Sequence, residues 1–207
     1  ALGLWLAGDP AMAWGPAEDA IGFAAERRVP PAQGVGCATA AIMAQLDGDR
    51  ERAAELARAA AALPDEVVTL QWRQWGAAVH RWTGGAAGPE PAPSIPGPML
   101  HGYFLALAAE DPAVGPAQAV EMLDRAATAA RATGERFCEA EILRLRGLAR
   151  VRAGDDVAGG RDLAAAARTA RAQGSVMLEI RALTSRLDLG YDDGAGDRLT
   201  TLLTGLG

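Results

Sequence analysis

An all-α chain of antiparallel helix pairs, stacked one on the next, is the fold class that three features of these 207 residues predict. Half of the residues are hydrophobic, and that half is mostly Ala and Leu, with few aromatic or β-branched side chains. Ala and Leu lose little on entering a helix, so this composition favours helix over strand. Apolar residues also recur at helical spacing. Finally, turn signals recur at similar intervals: Gly8-Asp9, Gly48-Asp49, Gly84-Gly85, Glu110-Asp111 and Gly154-Asp155 each close one periodic stretch and open another. The steps from Gly8 to Gly48, from Gly48 to Gly85 and from Glu110 to Gly154 are 40, 37 and 44 residues, the spacing of a helical repeat.

In order, a short helix is expected over 1–7, ended by Gly8-Asp9, and a second over 11–27. A third, over 31–46, is the longest charge-free helical run, and a fourth follows Gly48-Asp49 over 50–63. The fifth, 66–82, carries Trp72, Trp75, Val79 and Trp82 on one apolar stripe at i, i+3, i+7 and i+10. Helices over 99–109, 116–132 and 136–153 come next, the last ended by Gly154. Asp155-Asp156 opens 157–172, helix 175–189 follows, and a weak final helix starts at 196 after Asp192-Asp193. Both Asp pairs sit in Gly-containing turns, where Asp favours helix capping and Asx turns over chemistry.

Antiparallel helices pack closely only where small side chains let their backbones approach, so small residues should repeat in register with the turns. Ala13 and Ala20 follow Gly8 at the distances at which Ala53 and Ala60 follow Gly48, and Gly159 and Ala166 follow Gly154. Ala119 and Ala126 keep the same step after an insertion. Gly147 falls seven residues before Gly154, where a helix-pair repeat places glycine for close contact between its two helices.

The stretch GGAAGPEPAPSIPGPM, residues 84–99, holds five prolines where a second helix of the third pair belongs. Proline lacks the N–H and clashes with the preceding turn, so no regular helix runs through it. The expected organisation is therefore a first half over 1–83, a Pro/Gly-rich linker over 84–98 that replaces a helix, and a second half over 99–207. The strip either links the halves freely or lies across the face of helix 66–82. Helix 99–109, with Phe104, is the expected cover for the Trp stripe; a partner or ligand groove is the other reading, since large open apolar patches are rare on soluble proteins.

The net charge of −6, with all twenty basic residues Arg, argues against a broad phosphate-binding face and hence against direct nucleic-acid binding. Phosphate loops, HExxH, GxSxG and GxGxxG motifs are absent, and no Lys is present to serve a Walker-type loop. His80 and His101 have no Cys, Asp or Glu at metal spacing, and the DDGAGD stretch lacks the ligand alternation and closing Glu of a calcium loop. No catalytic residue, metal or cofactor is expected. Cys37 and Cys138 are lone cysteines, expected to be buried small residues in a cytoplasmic protein. No signal peptide or membrane span is expected, and the start at Ala1 without Met suggests a piece of a larger protein.

The densest charge lies in GERFCEAEILRLRG, residues 134–147, followed by AGDD and then DLAAAARTARAQGSVMLEIRALTSRLDL. Gly134, Glu135, Arg136, Phe137, Glu139, Glu141, Arg144, Leu145, Gly147, Ala170, Arg171, Gly174, Leu178, Glu179, Arg181, Ala182, Thr184 and Ser185 carry a resemblance to a known family. The chain resembles the tetratricopeptide-like C-terminal region of bacterial signal-transduction ATPases, which is often fused to a LuxR-type helix-turn-helix, a winged-helix activator domain or a nucleotide cyclase. The resemblance covers about 116–189 well, 1–82 more loosely, and fails at 84–98. It implies a right-handed superhelix and a non-enzymatic sensor or interaction module. Such a module binds a protein, peptide or small inducer, with ATPase and DNA-binding or cyclase domains elsewhere.

Glu141 and Arg144 are three residues apart, a pairing that holds helices in register and contributes only about 0.5 kcal/mol when exposed. If a groove exists, Gln71, Gln74, Arg81, Glu141, Arg144 and Arg152 are the residues expected to line it on the inner helices. Two other classes of function are an all-α enzyme with a cleft near the Trp-rich helix 66–82, and a purely structural spacer.

Overall fold

Several helices of this chain begin where a residue either caps the first free N–H groups or has no N–H to satisfy. In the computed structural model, which describes residues 1–64, 67–84 and 101–206, with 67–71 and 101 described in backbone only, Asp9, Asp49 and Asp155 each turn a carboxylate onto the N–H three residues on. The distances are 3.1 Å to Met12, 3.0 Å to Arg52 and 3.0 Å to Ala158. The glycine before each Asp closes the previous helix in a left-handed conformation, as with Gly48 at φ 80° and Gly154 at φ 87°. Only glycine adopts that conformation without strain. The Gly-Asp signal is thus one device, a stop followed by a start. Pro10 follows Asp9 in the same helix, and Pro30 and Pro116 open two others, each at the position where a missing N–H costs nothing.

The described residues form eleven α-helices and no strand. They are α1 Leu2–Ala7, α2 Pro10–Glu26, α3 Pro30–Asp47, α4 Arg50–Ala61, α5 Val67–Trp82, α6 His101–Ala108, α7 Pro116–Thr133, α8 Glu139–Arg152, α9 Asp156–Ala172, α10 Val176–Asp188 and α11 Ala195–Thr204. A single 3₁₀ turn, Arg136–Cys138, leads into α8. Expected and observed bounds agree to within a few residues, and the main difference is that turn, which takes the start expected for the eighth helix. The expected linker 84–98 lies, beyond Gly84, outside the described residues.

Two compact units emerge, one built on α2 to α5 and one on α6 to α11. In the first, α3 packs on α2, α4 and α5, and α4 packs on α5. Nearly every side chain from Cys37 to Leu46 is buried, so α3 is the core helix of this unit. Ala53, Ala57 and Ala60 of α4 are fully buried and leave room for close approach. A Cβ on Gly76 of α5 would stand 2.6 Å from the Ala57 carbonyl oxygen, so glycine is required there. The Trp stripe is engaged within its own unit: Trp72 lies against Gly34, Trp75 and Val79 are buried, and the Arg50 guanidinium covers the Trp82 ring at 4.5 Å. Trp72 and Trp75 meet edge to face at 4.9 Å.

In the second unit each helix packs on its successor from α6 to α11, and α6 also meets α8 while α8 meets α10. α8 and α9 cross closely. A Cβ on Gly147 would meet the Gly159 oxygen at 2.9 Å, and one on Gly159 would meet the Gly147 oxygen at the same distance. The small-residue register expected from the turns is buried at Ala13, Ala53, Ala60, Ala119, Ala126, Gly159 and Ala166. Ala20 departs from it and is exposed, because α2 meets its neighbour through Ala13, Ala17 and Ala24.

Candidate functional site

Four carboxylates are buried in the second unit, and each is shared by two arginines: Glu139, held by Arg136 at 2.9 Å and Arg131 at 4.0 Å, and then Glu141, Asp162 and Glu179. Glu141 on α8 receives Arg144 from its own helix through Nε at 2.9 Å and Nη2 at 2.7 Å. Arg181 on α10 reaches the same carboxylate with Nη2 at 2.8 Å and Nε at 3.3 Å. Arg144 Nη1 then donates to Ser185 Oγ at 3.1 Å, so α8 and α10 are tied twice. Asp162 on α9 takes a two-pronged contact from Arg146 on α8, both bonds 2.7 Å, and a third from Arg150 at 3.1 Å. Arg146 Nη1 continues to Asp124 on α7 at 2.6 Å. Glu179 on α10 holds Arg171 of α9 at 2.8 Å and Arg198 of α11 at 2.8 and 3.0 Å.

Burial changes what these contacts are worth. Glu141 and Arg144 are 3 % and 8 % exposed, so the pair expected as a weak surface contact is a desolvated one. Burial alone would raise the Glu141 carboxyl, but the Arg144 and Arg181 guanidiniums outweigh it and hold it well below the usual carboxylate range. Glu179 is likewise lowered, burial again opposing and the Arg198 and Arg171 hydrogen bonds prevailing. Tyr103 of α6 is buried, and its hydroxyl is pushed well up by burial and then by the Glu141 charge, so it stays protonated. Burial likewise pushes the Cys138 thiol up to about 12, which leaves a poor nucleophile at neutral pH.

The residues named for a groove fall in different surroundings. Glu141 and Arg144 are brought together and lie beneath the surface in the cluster above. Arg152 is exposed on the last turn of α8. Gln74 and Arg81 are half-buried on α5 in the first unit, and Gln71 is on the same helix with its side chain outside the described residues. His80 is half-buried there, its Nδ1 without a hydrogen-bond partner among the described residues; the His101 side chain lies outside them.

Among the described residues no group of three or more His, Cys, Asp or Glu side chains could hold a metal ion. No described helix is long and apolar enough to cross a membrane. An open cleft of about 360 Å³ runs beside α6 and α7, lined by Leu105, Asp124, Arg125, Thr128, Ala129 and Ala132. Its one carboxylate, Asp124, is already paired with Arg146.

Sequence reasoning found Glu141 and Arg144 but missed Asp162, Glu179, Arg146, Arg181 and Arg198 as partners. A signal existed for Asp162, an acid set between apolar positions of α9. None existed for the pairings, which join residues 8 to 40 apart in sequence. No family model, curated protein or solved structure matches the chain.

Proposed function

We propose that this chain is a non-enzymatic, tetratricopeptide-like interaction module of a larger bacterial transcriptional or signalling regulator. It takes a protein, a peptide or a small inducer in the cytoplasm and passes occupancy to ATPase and DNA-binding or cyclase domains elsewhere. The observation that carries this reading is that helices pack on the next and also on the next but one, as α3 does with α5, α6 with α8, and α8 with α10. That is how a stacked array of helix pairs buries itself, and such arrays present an extended inner surface kept in shape by nearest-neighbour contacts. The Glu141 cluster supports this reading by tying the alternate helices α8 and α10 together.

The test is a thermal-shift screen against peptides and metabolites. A ligand that binds only the folded state and is present at about a hundred times its dissociation constant stabilises by about 2.7 kcal/mol, an upward shift of about 5 to 10 °C in a chain of this size. Alanine at Gln74, Arg81 or Arg152 should remove the shift while leaving the unliganded midpoint in place. A screen in which nothing raises the midpoint favours a spacer, and turnover of any added compound favours an enzyme.

A further inference from the structure

α11 differs from the other helices of the second unit in how it is held. Its apolar side, Ala195, Leu199 and Leu202, lies on a patch formed by Leu143 of α8, Ala166 and Ala167 of α9, and Ala182 and Leu183 of α10. Among the described residues, the ion pair made by 195–204 is Arg198 on Glu179, and Asp193 just ahead of α11 pairs with Arg186 of α10. Glu179 keeps a second partner in Arg171 at 2.7 Å. If α11 lifts away, the buried carboxylate therefore stays paired, and Arg198, whose side chain is about a third exposed, passes readily into water. Lifting α10 would instead break two buried ties to α8 at once, Arg181 on Glu141 and Arg144 on Ser185, a costlier event. At the start of α11 Gly194 has no side chain to cap with, and the Asp192 carboxylate accepts the Gly196 N–H at 2.9 Å in its place.

We propose that α11 is a self-docked strap that opens as a unit and uncovers a docking site for a single amphipathic helix. The chemistry of the occupant is written in α11: a cation directly ahead of a leucine, with a second leucine three residues further on, as in Arg198, Leu199 and Leu202. The cation pairs with Glu179, and the leucines cover the patch of Leu143, Ala166, Ala167, Ala182 and Leu183. The site rests on none of Gln74, Arg81 and Arg152, by which the proposed function is tested, and its tests use no ligand of that function, so either idea can fail alone.

Hydrogen exchange on the whole chain reads the strap directly. Amides of 195–204 should exchange at least about tenfold faster than those of 178–187, as a locally opening segment does. Raising salt from about 0.1 M to about 1 M, which shortens the screening length from about 10 to about 3 Å, should widen that gap. A labelled peptide of residues 192–206 should bind the Arg198→Glu variant of the 207-residue chain saturably, and the unaltered chain at least about tenfold more weakly, since the chain's own strap competes. The same peptide carrying R198E should bind neither. Equal protection of 195–204 and 178–187 at both salt levels overturns the proposal, and so does a folded Arg198→Glu chain that ignores the peptide. Should that variant not fold, the salt dependence of exchange in the unaltered chain decides.

Discussion

At the scale of single residues, Glu141 is the most consequential group described. It is buried, it holds two guanidiniums, and removing its charge takes the carboxylate from both. Glu141→Gln is expected to destabilise by about 3–5 kcal/mol, the usual effect of breaking a buried ion pair. Arg152→Ala, on the exposed last turn of α8, should change stability by less than about 0.5 kcal/mol. Urea titration of both variants measures the contrast. The same carboxylate sets a pH dependence: its folded-state value lies below its unfolded one, so its contribution is fully present above about pH 4.3 and declines as the pH falls further. The stability gap between the unaltered chain and Glu141→Gln should therefore narrow from pH 5 to about pH 3, and a gap that stays constant would count against the pairing. Cys37 and Cys138 are both buried, with thiols raised by burial, and a thiol-reactive dye should label them only after unfolding.

At the scale of elements, glycine decides where two helices can touch. Gly147 and Gly159 face each other's carbonyl oxygens, so alanine at either forces α8 and α9 apart. A loss of about 1–3 kcal/mol is expected for Gly147→Ala, as for other overpacked cores. Gly22 of α2 has nothing within 4 Å of a built Cβ, and Gly22→Ala should instead stabilise by about 0.5–1 kcal/mol through helix propensity. Opposite shifts in melting temperature for these two changes check the argument. The close contact at Gly147 was legible in the sequence because the glycine keeps its distance from the Gly154 turn. The exposure of Ala20 was not, since in an Ala-rich helix composition cannot say which small residue faces the neighbour. The Gly-Asp turns were the clearest of all, because both halves of the device act through local backbone geometry.

At the scale of the whole molecule, each unit has its own buried core: Trp5, Ile42, Met43 and Val79 in the first, and Leu123, Ile142, Leu163 and Leu183 in the second. Residues 99–207 produced alone should therefore give a helical circular-dichroism spectrum and a single cooperative melt. A featureless spectrum would mean that the second core needs the first. The expected Trp stripe of helix 66–82 marked the first core from sequence alone, since its spacing is a property of one helix. What packs on it, Gly34 from α3 and Arg50 from α4, belongs to three-dimensional proximity.

The order and bounds of the helices, their Asp and Pro starts and their glycine stops were determined by the sequence, because each depends on contacts within a few residues. The fate of the charges was decided by tertiary structure. Glu141, Asp162 and Glu179 look in sequence like any solvated acids of a helix surface. Packing buried them, and a buried carboxylate must find its counter-charge wherever the fold brings one, here on Arg181, Arg146 and Arg198 from neighbouring helices.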